Sequence, residues 1–223
     1  MRAIQRFVVM AMVAAGAAIT AGPSAAQTTA PSAETGLEAA VARTSAFVVA
    51  MRFSDADKTE RVVQLTSQYL RDLQRLLDER EATLARLGEA GAGAEVDQQV
   101  TEAWRTCRSA SLVLRDQYVA QLAALMTPAQ VERVKDGLTR DWFHVTLQTY
   151  DEMVPGLTYP QRAHVVALLH EMRENAMLEI DPKPQEQWVG KYRGIINNYV
   201  ARQGHDFAAL SKAYEQKRAT KNR

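Results

Sequence analysis

From Ala56 to Leu87 apolar residues return every seven positions. Val63, Leu70, Leu77 and Leu84 form one line, Leu73 and Leu87 a second, and Tyr69 and Leu76 widen the stripe. This period, held over three to four heptads, is that of an amphipathic helix. At a rise of 1.5 Å per residue the helix would be on the order of 50 Å long. Ser54 or Asp55 supplies its N-cap. Thr66 and Arg80 interrupt the second line, which argues against a long regular dimer. The run Gly88-Glu89-Ala90-Gly91-Ala92-Gly93 breaks the pattern as a flexible connection, and the period then resumes. Val100, Cys107 and Leu114 fall on one line, and Trp104, Ser111, Tyr118 and Leu125 on the other, with Ser111 and Gln121 as polar intrusions. Two long helices joined by a glycine-rich link predict an antiparallel αα-hairpin. The fold expected is all-α, a single bundle built on that hairpin with shorter C-terminal helices, preceded by a helix-permissive stretch over Leu37–Phe53.

Two similar helix starts follow the hairpin. Met126-Thr127-Pro128-Ala129-Gln130 and Leu157-Thr158-Tyr159-Pro160-Gln161 both read T-x-x-Q, so Thr127 with Gln130 and Thr158 with Gln161 can form capping boxes. Between them, residues 141–153 fit a helix or a strand. Helix is chosen because the rest of the chain is helical, and Pro155-Gly156 ends it. Tyr159 to Leu178 is a helix facing inward through Val165, Leu169, Met172 and Ala176, and Asp181-Pro182-Lys183-Pro184 reads as a tight connection. The next helix carries an apolar stripe of Trp188, Tyr192, Ile195, Ile196 and Tyr199. Gly190 and Gly194 sit beside it, and each glycine costs roughly 1 kcal/mol against alanine inside a helix. Close backbone approach, by another helix or by a ligand, is the expected reason. Lys191, Arg193, Asn197 and Asn198 crowd the same two turns. Gly204 stops the helix, His205-Asp206 starts the last one, and residues 216–223 form a basic tail.

Composition narrows the class. The 223 residues hold 27 basic and 26 acidic side chains, which is no electrostatic footprint for nucleic acid. Met1 to Ala26 has a basic start, an apolar alanine-rich centre and small residues at Ser24-Ala25-Ala26. It reads as a cleaved signal peptide, followed by a flexible leader over 27–33 and a domain over 34–215. Export to the periplasm or beyond is expected, with no membrane span after cleavage. Cys107 is the single cysteine, so no intramolecular disulfide can form, and its apolar face predicts a buried, inert thiol.

The segment Gly190-Lys191-Tyr192-Arg193-Gly194-Ile195-Ile196-Asn197-Asn198-Tyr199, followed by Gln203-Gly204-His205-Asp206, resembles the signature of a secreted bacterial family, domain of unknown function family 3826. Three further pieces fit its pattern in order: Val134-Lys135-Asp136-Gly137-Leu138-Thr139, Tyr150-Asp151-Glu152-Met153-Val154-Pro155, and Arg173-Glu174-Asn175-Ala176-Met177. The chain departs from it at Ile195, in place of an arginine, and at His205, in place of a tyrosine. The resemblance implies an exported helical domain and carries no established activity. The paired T-x-x-Q starts are also similar to those of Spy/CpxP-like periplasmic proteins, with Met126 standing where that motif has leucine. That likeness implies a cradle that holds unfolded clients.

Little in the sequence carries chemistry by itself. His170-Glu171-Met172-Arg173-Glu174 lacks the second histidine of a zinc-protease helix, and His164 and His170 point to different faces. No metal site and no cofactor is expected, and Lys135-Asp136 and Arg173-Glu174 read as surface charges. The candidate ligand or partner residues are Lys191, Tyr192, Arg193, Asn197, Asn198, Tyr199, His205 and Asp206. Paired amides beside cations and tyrosines suit polar ligands such as sugars or carboxylates. The function expected is an exported, soluble binding or accessory protein using residues 190–206, with a small polar ligand or another exported protein as partner. One alternative is an enzyme on polysaccharide-derived acidic sugars, with His205 and Asp206 moving protons. The other is a client-holding chaperone.

Overall fold

A computed structural model describes residues 36–221. The expected signal peptide and leader lie outside the described residues. Those described form eight helices and no strand: α1 Leu37–Ala50, α2 Ala56–Glu89, α3 Ala94–Leu125, α4 Pro128–Leu138, α5 Trp142–Met153, α6 Tyr159–Ala176, α7 Pro182–Arg202 and α8 Phe207–Lys221. No described helix is long and apolar enough to cross a membrane.

The expected hairpin is α2 and α3. Asp55 caps α2, accepting from the amides of Asp57 at 2.9 Å and Lys58 at 3.3 Å. The buried seam runs through Val62, Thr66, Tyr69, Leu70 and Leu73 of α2, against Tyr118 and Leu122 of α3. Thr66 does not interrupt this seam as a polar fault. Its hydroxyl donates to the Val62 carbonyl at 2.7 Å and bonds Tyr118 Oη at 2.9 Å. Tyr69 stacks on Tyr118 with ring centroids 4.4 Å apart, and its hydroxyl donates to the Met177 carbonyl at 2.7 Å. Burial pushes both phenols well above their ordinary pKa. Past Leu73 the hairpin leaves the core. Leu77, Leu84, Leu87 and Val100 are half-buried, and Trp104 is 49 % exposed.

Two apolar clusters organise the rest. One joins α1 to α4 with Met177 and Ile180, and the other joins α5 to α8. Residues 142–153 are helical because Phe143, Thr146, Tyr150 and Met153 share one buried face at helical spacing. The Thr127 capping box is complete: Gln130 N donates to Thr127 Oγ1 at 3.3 Å, and Thr127 N to Gln130 Oε1 at 3.1 Å. At the second start Thr158 N donates to Gln161 Oε1 at 2.9 Å.

Four expectations are corrected. Pro182 and Pro184 are not a connection; they occupy the first turn of α7, where a proline sacrifices no helical bond. The buried stripe of α7 is Gln185, Val189, Tyr192, Ile196 and Val200, whereas Ile195 is 36 % exposed. Gly190 and Gly194 are exposed, and a Cβ added at either would meet nothing within 4 Å, so no neighbouring helix requires them. The close approach is at Gly137 instead, where an added Cβ would fall 2.3 Å from the Phe47 ring and α1 packs on α4. Finally, α8 continues as helix through residues 216–221 of the expected tail.

Candidate functional site

Most of the eight candidate residues tie helices together. The Tyr192 hydroxyl accepts from Asn175 Nδ2 at 3.1 Å and donates to Glu171 Oε2 at 3.3 Å. Asn197 Oδ1 accepts from the Tyr150 hydroxyl at 2.6 Å, which also lies 3.2 Å from the Arg193 carbonyl, and burial pushes that phenol up to about 12. Tyr199 packs on the His164 ring at 4.2 Å. His205 Nε2 lies 3.4 Å from Gln161 Oε1, at the start of α6. Asp206 accepts from Ala209 N at 3.1 Å and caps α8. Arg193 and Asn198 are exposed. His205 and Asp206 are therefore committed to helix starts, away from Lys191.

The polar segments Val134–Thr139 and Arg173–Met177 meet in the interior. Asp136 is 1 % exposed and Arg173 is 2 % exposed, so the expectation that these charges lie on the surface fails. Arg173 Nη1 donates to Asp136 Oδ1 at 2.7 Å and its Nη2 donates to Glu132. Lys135 Nζ reaches Glu132 at 3.0 Å and Glu174 at 2.9 Å. Burial raises the Glu132 carboxyl, but hydrogen bonds from Lys135 and Arg173 outweigh it and hold the group below its ordinary pKa. Helix periodicity missed this pair for a physical reason. Val131, Val134 and Leu138 mark one inward face of α4, and nothing local reveals that α5 and α6 cover a second. Asp136, Asp141 and His144 bring three potential metal-ligand atoms within 4.8 Å of one another. Guanidinium groups already serve their charge, with Arg173 on Asp136 and Arg133 at 3.8 Å from Asp136 and 4.0 Å from Asp141.

One candidate, Lys191, opens onto a cleft of about 530 Å³ between the outer half of the hairpin and α7. Trp104 and Trp188 supply its aromatic surface, and Arg80, Arg105 and Arg108 join Lys191 as cations. Arg80 lies over the Trp104 ring at 4.1 Å, while Arg108 and Lys191 lie over Trp188 at 5.3 and 4.8 Å. Two cations are already paired, Arg80 with Glu81 and Arg105 with Glu102. Among the described residues neither Arg108 nor Lys191 has a carboxylate within ion-pair distance, and Arg108 donates to the neutral Asn175 Oδ1 at 2.7 Å. The one acid of the cleft is Glu179, which accepts from Trp188 Nε1 at 3.4 Å. Burial raises its pKa against the lowering effects of that bond, Arg80 and Arg108. The cleft thus combines two indole rings, each with a cation over it, with two cations outside any ion pair, Arg108 and Lys191, and one half-buried acid, Glu179. Its hairpin residues were missed because the heptads put Trp104 on the apolar line of α3 and Arg80 at an interruption of the α2 seam, and nothing local shows that this half of the seam stays open.

A family model described as "Protein of unknown function (DUF3826)" matches residues 37–220. No curated protein matches the chain.

Proposed function

The chain belongs to the DUF3826 family, and from the chemistry of its cleft we propose that it is an exported binding protein for a carboxylated ring, of which an acidic sugar is the natural class. The basic, apolar and small-residue order of Met1 to Ala26 supports export. The observation that carries the ligand class is the pair Arg108 and Lys191, neither in an ion pair and both over the Trp188 ring. A sugar ring presents an apolar face that suits an indole, and its carboxylate takes charge-assisted hydrogen bonds from arginine and lysine. Trp188 is held in place by Glu179, so part of the surface is pre-formed.

The test is titration calorimetry of the chain from Gln27 with oligomers of uronic acid and with neutral oligomers of the same length, alongside Trp fluorescence. Acidic oligomers bind and neutral ones do not. Lys191→Ala or Arg108→Ala weakens binding by about tenfold or more, the loss of one charge-assisted bond. Added salt weakens it further. Equal binding of acidic and neutral oligomers, or an unchanged affinity in both variants, would refute the assignment.

A further inference from the structure

The outer half of the hairpin carries a second hollow, a groove of about 680 Å³ lined, among the described residues, by α2 and α3 alone. Arg80 and Cys107 line both this groove and the cleft. On α3 the groove is walled by small side chains. Ala103, Thr106 and Ala110 follow one another at intervals of three and four residues, so they share one helix face. At Leu76 and Ala110 the groove runs on into a hollow of about 420 Å³, again bounded by α2 and α3, where Val113 stands 57 % exposed. One open flank thus presents a row of small residues and, further along, an apolar knob. Charge is ordered along its α2 side. Glu79 lines the groove and Arg75 the hollow beyond it, one turn apart, exposed, and paired at 3.4 Å. Within a single helix such a pair contributes little.

We propose that this flank is the interface of a two-fold dimer, in which the hairpin of a second copy lies antiparallel across it. In such an interface, if one residue meets another, the second also meets the first. Leu77 and Arg108 stand at one height on the hairpin, between the cross-hairpin contacts Arg80–Trp104 and Tyr69–Tyr118. With the axis at that height, residues of α3 equally far from position 108 face each other. Val113 then meets the partner's Ala103, and Ala110 meets the partner's Thr106, so each knob enters the gap left by small residues. Residues of α2 equally far from position 77 face each other too. Arg75 meets the partner's Glu79, and Glu79 meets the partner's Arg75. One axis therefore satisfies the apolar fit on α3 and the charge fit on α2, two features of different helices. The overlap is bounded by the end of the hairpin at Gly88 and covers residues 66–88 of α2, on the order of 30 Å at 1.5 Å per residue. Two helices side by side are roughly 20 Å wide, which gives roughly 600 Å² per copy in projection. A ridged surface exceeds its projection, so the area approaches the roughly 800 Å² per partner of a stable interface.

The test is sedimentation equilibrium of the full chain. The wild type sediments at twice the chain mass of 24.8 kDa. Val113→Glu puts a charge into the apolar contact and raises the dimer Kd by about tenfold or more, with unchanged circular dichroism because the position is exposed. Arg75→Glu and Glu79→Arg each oppose like charges across the axis and weaken the dimer by a similar factor. Mixed in equal amounts, these two variants pair with each other as tightly as the wild type, since every facing pair is again of opposite sign. A monomer at about 100 μM, a dimer left intact by Val113→Glu or by the charge variants, or charge variants that do not associate when mixed overturns the proposal. Neither Trp188 nor Lys191 lines the groove, so the outcome is independent of ligand binding in the cleft.

Discussion

Replacing Arg173 by methionine removes the cation from the most deeply buried ion pair among the described residues while keeping an unbranched, apolar stem in its place. Asp136, at 1 % exposure, then keeps only the His144 contact at 3.0 Å and the Arg133 guanidinium at 3.8 Å. Breaking a buried pair from one side costs about 3–5 kcal/mol, because the remaining charge is uncompensated. The two residual partners put the expected loss near the lower end, about 3 kcal/mol. For a domain of this size that corresponds to a melting temperature lower by about 10 °C. Removing both charges behaves differently: Arg173→Met with Asp136→Leu substitutes apolar packing for the pair and recovers most of the loss. Glu132 is left without Arg173, but it stays partly exposed and keeps Lys135 at 3.0 Å. Urea melts followed by far-UV circular dichroism at pH 7 give the three free energies. A loss under about 1 kcal/mol for the single variant, the worth of a surface pair, would refute the reasoning. So would a double variant no more stable than the single one.

The same variant carries a pH signature. The Glu132 carboxyl is depressed in the folded state, so its contribution is complete above the ordinary value of 4.5 and is lost as pH falls through the lower folded value. Arg173→Met removes one of the groups that depress it. The acid limb of the stability profile below pH 4.5 therefore becomes shallower.

Three other outcomes are expected. Gly137→Ala drives a methyl into the Phe47 ring and costs about 1–3 kcal/mol, whereas Gly190→Ala and Gly194→Ala point into open space and gain up to about 1 kcal/mol each by chemical denaturation; the opposite order would place the close contact on α7. Glu179→Gln raises the melting temperature at pH 7 and leaves it unchanged at low pH. The wild-type carboxyl, raised by burial, loses stability as pH climbs from 4.5 through its folded value, so a thermal melt with no difference at pH 7 would contradict its burial. Tyr150→Phe strips Asn197 of its 2.6 Å partner and costs about 1–2 kcal/mol in urea melts, with no effect on the hairpin half of the molecule.

What the sequence made legible follows from which interactions are local. The hairpin, the Asp55 cap and the paired T-x-x-Q starts are settled within a few residues and lie where the pattern puts them, but of the line Val63, Leu70, Leu77 and Leu84 only Leu70 is buried, and Val62 takes the place expected of Val63. Residues 141–153, ambiguous between helix and strand, were decided by their neighbours, and the buried face at 143, 146, 150 and 153 agrees. Other features depend on a partner far along the chain. Tyr150 meets Asn197 across 47 positions, and Arg173 meets Asp136 across 37. No periodicity announces such pairs. A charge is expected outside until a second helix covers its face, which is why Asp136 and Arg173 were misjudged.

The hairpin shows the converse limit. Its outer half keeps the heptad pattern as faithfully as the inner half, yet Leu77, Leu84 and Leu87 are only half-buried, because periodicity records which face is apolar and not how far cover extends along it. The cleft opens along that same half. Arg80, which interrupts the seam, is there laid over Trp104, and Cys107 of the seam lines the wall beside Arg108. The irregularity that argued against a long dimer is thus an element of the cleft. Lys191 was visible as a candidate because α7 is rich in unusual residues. The cations and indole facing it were not, because each is ordinary on its own helix and acquires meaning only when the hairpin and α7 stand side by side.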